Sequence, residues 1–205
     1  MKKCICALLA SLFLTSCSAS LVNLKYKDGQ LINKRLDLAY NAAPVNYEPV
    51  SVGKAYAYYG EIDMTLYEIP GTDKKQWLSQ ENMGSGTTVF YNENIELPTL
   101  YEMQPENIYV CTGEGVTISV VTIDDEALIG ELITLFETGR ETALPNLDPM
   151  DTYELKFHGE EYPHLYYNLS YAEYSRGIFL YDRHSKRCVE IGDILEEWVY
   201  NEWEE

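Results

Sequence analysis

Val116-Thr117-Ile118-Ser119-Val120-Val121-Thr122-Ile123-Asp124-Asp125-Glu126-Ala127-Leu128-Ile129 carries the chain from a β-branched run straight into a helix start, and the elements around it follow from that change of period. Branched side chains suit a pleated, buried surface, so 116–123 reads as a strand. Asp124 then serves as N-cap, with Asp125 and Glu126 in a first turn whose dipole favours negative charge. The helix sets Ala127, Leu128, Leu132, Leu135 and Phe136 on one face and stops at Gly139. A loop over 142–151 holds Pro145 and Pro149, and 153–157, 165–171 and 178–181 read as strands rich in aromatic and apolar residues. The stretch 182–187 turns a hairpin into 188–191, and Asp193 caps a last helix running through Trp198 and Trp203. Strand, helix and then several strands in a row predict an α+β fold, a mainly antiparallel sheet with one or two packed helices in a single domain.

The first half is less regular. Asp28-Gly29 reads as a hairpin turn, while Ala42-Ala43-Pro44 and Pro49 mark irregular chain, so 17–50 is expected to act as a tether. The folded domain then covers 51–205. Ile62, Met64 and Leu66 alternate with polar neighbours as in a half-buried strand, which Pro70-Gly71-Thr72-Asp73 ends with turn chemistry. A short helix is expected over 75–82, a break at Gly84-Ser85-Gly86, and strands over 87–91 and 108–111.

The chain has 205 residues, 46% of them apolar and 23% charged, which is ordinary globular usage. Its 15 Lys+Arg against 33 Asp+Glu give a net charge of −18, a surface that repels phosphate backbones, so nucleic acid is excluded as a partner.

Residues 1–20 state where the protein goes. Met1-Lys2-Lys3 is a positive start, and the apolar run from Cys4 to Leu14 is too short to span a bilayer, which needs about 20 residues. Leu14-Thr15-Ser16-Cys17 follows, and it resembles the lipobox of bacterial lipoproteins. That resemblance implies removal of 1–16 as a signal peptide, a diacylglyceryl thioether and fatty acylation at Cys17, and residence on the outer face of a bacterial cell membrane. The alternative is an ordinary cleavable signal or an uncleaved, buried start. Two acyl chains hold a protein at about 0.8 kcal/mol per buried methylene, which an acidic domain needs beside an anionic membrane. Lys25, Lys27, Lys34 and Arg35 lie close to this anchor and read as ordinary solvated cations able to soften the repulsion. The stretch from Thr122 to Ile129, with the later hairpin through Leu180-Tyr181-Asp182, also resembles small lipoprotein domains of Gram-positive bacteria, a likeness that implies no activity.

With Cys17 modified, Cys111 and Cys188 remain, and outside the cytoplasm two leftover thiols suggest a disulfide. Closing a loop of about 77 residues would contribute about 4–5 kcal/mol through the unfolded chain. The alternative is a pair of buried thiols acting as small hydrophobes.

No nucleophile signature or phosphate loop is present, so no catalytic residue and no cofactor are expected. His158 and His164 flank Glu160 and Glu161, yet the spacing matches no metal-ligand pair, so no metal is expected either. Two features suit binding. Arg183, Lys186 and Arg187, with His184, form a basic cluster at a hairpin tip, fit for an acidic partner or simply solvated. The chain also has 18 tyrosines. Among them Tyr167 and Tyr171 share one strand face with Leu169, and Tyr166 shares the other with Asn168 and Ser170. Tyrosine offers rigid contact area with a polar tip, for partners and sugars, and equally lines half-exposed sheets. The sequence thus reads as a lipid-anchored extracytoplasmic binding module for a cell-surface protein, without catalysis. The second reading is a glycan- or small-ligand-binding lipoprotein with a tyrosine-lined pocket, and the third an envelope enzyme.

Overall fold

The computed structural model describes residues 21–81, 87–112 and 118–200. Strands dominate: fourteen of them stand against two helices among the described residues. The expected α+β sheet with packed helices is therefore corrected to a mostly β chain in which half the strands close a separate barrel.

The barrel begins at Val22–Lys27 (β1), Gln30–Asn33 (β2) and Leu38–Ala42 (β3). After Tyr47–Pro49 (β4), Ala55–Tyr59 (β5), Met64–Glu68 (β6), Trp77–Ser79 (β7) and Val89–Asn92 (β8) complete it. Its order is β1-β2-β3-β8-β7-β6-β5, closed by a parallel β1–β5 seam that sets Leu24 beside Tyr59. Leu24, Leu31, Tyr40, Leu66, Leu78 and Phe90 fill the interior, as a barrel this small requires. Asp28 and Gly29, both at positive φ, make the two-residue turn between β1 and β2 and pair Lys27 with Gln30. The tether expected to reach residue 50 is thus folded from Val22 onward. The expected helix over 75–82 is also corrected, because Trp77–Ser79 pairs with strands on both sides. Ile62 lies in the β5–β6 turn, exposed, and only Leu66 of its expected face is buried. Gly84-Ser85-Gly86 lies outside the described residues.

The second sheet uses Asn107–Thr112 (β9), Ile118–Ile123 (β10), Asp151–His158 (β11), Leu165–Tyr174 (β12), Gly177–Tyr181 (β13) and Cys188–Glu190 (β14). Their order is β10-β9-β11-β12-β13-β14, all antiparallel, with β4 added to β12. Strand β12 pairs with β11 along one edge and shares its other edge between β4 and β13. Helix α1 (Glu126–Thr138) lays Ile129, Leu132, Ile133 and Phe136 on the inner face of this sheet, against residues such as Ile108, Val110, Leu155 and Phe157. The apolar face is rotated from the expected one: Ala127 is exposed, and Ile129 and Ile133 take the buried places. The cap also shifts by one residue, since the Asp125 carboxylate accepts the Ala127 and Leu128 N–H groups. Gly139 ends the helix in extended backbone. A Cβ there would sit 2.3 Å from the Leu135 carbonyl oxygen, so close approach rather than positive φ demands glycine. The last helix, α2, spans Glu196–Tyr200; Trp203 lies outside the described residues. Neither helix is long and apolar enough to cross a membrane.

Alternation along β7 and β8 joins the two layers. Leu78 and Phe90 point into the barrel, whereas Trp77 and Val89 join the sheet's core. Trp77 meets His164 with ring centres 6.1 Å apart, and Tyr47 meets Tyr167 edge-on at 5.3 Å.

Candidate functional site

The outer face of the second sheet is polar over β9, β11 and the first part of β12, because these strands alternate in step; toward β13 and β14 the same face is apolar, with Ala172, Tyr174, Phe179 and Cys188 buried together. Leu155 and Phe157 of β11 go to the core, leaving Glu154, Lys156 and His158 outside; β9 does the same with Tyr109 and Cys111, and β12 with Tyr166, Asn168 and Ser170. Register then builds rungs. Lys156 stands between Tyr109 and Asn168, and Glu154 between Cys111 and Ser170. Glu48 enters from β4, opposite Tyr166.

Lys156 Nζ donates to both carboxylate oxygens of Glu48, at 2.7 and 2.6 Å, and Asn168 Nδ2 donates to one of them at 2.8 Å. All three residues are buried, so the pair is held in a low dielectric where each charge needs its partner. Glu154 lies 3.9 Å from Lys156 and 3.8 Å from Arg183, whose Nε donates to Ser170 Oγ. Glu48 of β4, Lys156 and Glu154 of β11, and Arg183 in the turn after β13 therefore alternate in sign. Burial pushes the Glu154 carboxyl up, opposed by Lys156, reinforced by Glu48 and opposed again by Arg183.

Over this row lies a ledge of three half-buried rings. Tyr109 and Tyr166 meet edge-on at 5.8 Å, His158 stands 5.4 Å from Tyr166 and 6.3 Å from Tyr109, and Lys156 Nζ lies 5.6 Å from the Tyr166 ring centre. Such a surface offers flat apolar faces edged by hydroxyls over a row of balanced charge. It suits a peptide chain or a sugar better than an ion.

The expected binding residues fall apart around this face. Tyr166 belongs to the ledge, while Tyr167 and Tyr171 face the core and are corrected to structural residues. Arg183 reaches the charged row. Arg187 does not offer its charge to a partner: its guanidinium donates to the carbonyls of Phe136, Glu137 and Gly139 and finishes helix α1, which has no basic residue in its last turn. Lys186 donates to the Arg183 carbonyl and stands over Tyr181. The basic hairpin tip is thus three separate devices held together by a buried Asp182, which accepts the His184 and Ser185 N–H groups.

Cys111 and Cys188 are both free and buried. Three strands separate β9 from β14, a distance of about 19 Å at sheet spacing, so geometry excludes the possible disulfide and leaves the other reading, two buried thiols acting as small hydrophobes. Burial pushes both thiols up to about 11. His158, the third ring of the ledge, has Nε2 3.2 Å from the Pro163 carbonyl oxygen; His164 packs on Trp77 and Tyr162, its Nε2 buried without a hydrogen bond and its pKa lowered by burial. No group of three His, Cys, Asp or Glu among the described residues is placed to hold a metal.

Sequence reading missed Glu48, Lys156 and Tyr109. The one local signal is a lysine between Leu155 and Phe157, a charge amid a strand otherwise bound for the core. No family model matches the chain, and neither a curated protein nor a solved structure matches it.

Proposed function

We propose that this chain is a membrane-anchored extracytoplasmic lipoprotein, acylated at Cys17, which acts as a non-catalytic binding module at the outer face of a bacterial cell membrane. Leu14-Thr15-Ser16-Cys17 supports the anchor; these residues lie outside the described ones. The observation that carries the binding role is the ring ledge of Tyr109, His158 and Tyr166 over the Glu48–Lys156 pair. Its aromatic faces are pre-positioned by strand pairing, so a partner docks without ordering them first. A polypeptide on the cell surface is the partner that fits, since tyrosines set on a rigid sheet are strong interface anchors.

A photo-crosslinking residue at position 166 in the full chain, expressed in its native membrane, tests this reading against the same residue at the exposed position 101. One defined protein adduct from 166, absent from 101 and lost on Tyr109→Ala, is the expected result. Equal adducts at both positions, or none, overturns it, and sugar-dependent protection of 166 would reassign the ledge to glycan. Intact mass of membrane-purified protein checks the anchor: the chain should start at Cys17 and carry acyl mass.

A further inference from the structure

The four cations of residues 21–50 converge. Lys25, Lys27, Lys34 and Arg35 line one open groove of about 820 Å³ with Leu21 and Tyr26. The first hairpin puts them there. Leu24 points into the barrel, so Lys25 and Lys27 fall on the outer side of β1, and Lys34 and Arg35 occupy the turn that leaves β2. All four are exposed, as are Tyr26 at 57% and Leu36 at 43%. Asp28 pairs with Lys27 at 3.4 Å, yet neither Asp28 nor Asp37 lines the groove.

We propose that this groove seats on the anionic phospholipid headgroups of the membrane that holds the anchor, an inference that rests on the lipoprotein reading. Two observations argue for this occupant. The first is sign: on a chain of net charge −18, this groove gathers four cations and no carboxylate. The second is reach. Leu21 lines the groove and stands four residues after Cys17, and four extended residues span at most about 14 Å. An acylated Cys17 therefore holds the groove close to the distance over which surface charge acts, about 8–10 Å at ordinary salt. Each Lys or Arg at an anionic surface strengthens attachment about fivefold. Tyr26 and Leu36 add an amphipathic ring and an apolar side chain suited to the headgroup boundary. The acidic remainder is repelled, so the domain stands on its first hairpin.

The test uses full-length protein purified from membranes, its acyl state read by intact mass, reconstituted in vesicles of phosphatidylcholine alone or mixed with phosphatidylglycerol. Amine labelling is followed residue by residue at Lys25, Lys27 and Lys34, with exposed Lys54 and Lys75 as controls. The expected result is several-fold protection of the three groove lysines in phosphatidylglycerol vesicles only. High salt should reverse it, and Lys25→Glu/Lys34→Glu/Arg35→Glu should abolish it at Lys27. Acylated protein labelled equally in both vesicles overturns the groove proposal and leaves the anchor standing. If the mass shows no acyl group the anchor reading falls, and co-sedimentation of the same protein then decides. Salt-sensitive pelleting with phosphatidylglycerol vesicles, lost in the triple variant, supports the groove; no pelleting overturns it.

Discussion

Lys156 and Glu48 lie 108 residues apart in sequence and form a bidentate ion pair at 2.7 and 2.6 Å, reaching across β12, which carries β4 on one edge and β11 on the other. Both side chains are under a tenth exposed, so the pair is an internal joint between the N-terminal segment and the second sheet.

Breaking one side of that joint leaves a buried charge alone. Lys156→Met or Glu48→Leu should each cost about 3–5 kcal/mol in urea unfolding. The double variant should recover most of that loss, because two apolar side chains carry no desolvation penalty. A double variant as unstable as the sum of the singles would show that the two charges act separately.

Arg187 and Arg183 sit four residues apart on one turn and should behave differently. Arg187→Ala strips donors from three carbonyls at the end of α1 and should cost about 1–2 kcal/mol, with faster hydrogen exchange in the last helical turn. Arg183 is 56% exposed in its ion pair, so Arg183→Ala should change stability by less than about 1 kcal/mol.

The helix start offers a second paired comparison. Asp125→Ala removes the carboxylate that accepts two N–H groups and should cost about 1 kcal/mol, whereas Asp124→Ala should stay within about 0.5 kcal/mol. Thermal melts of the two variants decide between neighbouring caps.

Stability should decline as the solution turns alkaline. In the unfolded chain Cys111 and Cys188 ionise near 9.0, and in the fold burial pushes both up to about 11. The native state thus holds more protons than the unfolded one between these values, so unfolding free energy falls as pH rises through that window. Burial likewise raises the phenols of Tyr40, Tyr47 and Tyr167 and extends the loss upward. Urea midpoints followed from about pH 8 to about pH 11 should drop, with a shallower first stage in Cys111→Ala/Cys188→Ala. Reduction should leave the masses of the peptides that contain Cys111 and Cys188 unchanged, as both thiols are free.

Local features were legible where neighbours in sequence are neighbours in space. Asp28-Gly29 makes its turn, the hairpins around β12, β13 and β14 follow the period-two runs, and Tyr166 parts from Tyr167 and Tyr171 as strand alternation dictates. Trp77-Leu78-Ser79 was illegible for the opposite reason. Its strand state comes from β6 and β8 on either side, and three residues carry too little period to compete with a helical pattern. The candidate face was half legible: Tyr166, Asn168 and Ser170 were placed together, but Lys156 and Glu48 were not.

By itself the sequence determined the acidic balance, the position of helix α1 and the inward and outward sides of the long strands, all consequences of composition and short-range periodicity. Tertiary structure alone decided that β1 closes on β5 as a barrel, that Glu48 meets Lys156, that Arg187 caps a helix rather than docks a partner, that Cys111 and Cys188 stay apart, and that four scattered cations share one groove. Those outcomes depend on which strands pair across long loops, and the energy of such pairing lies in burying surface against distant chain, which no local pattern encodes.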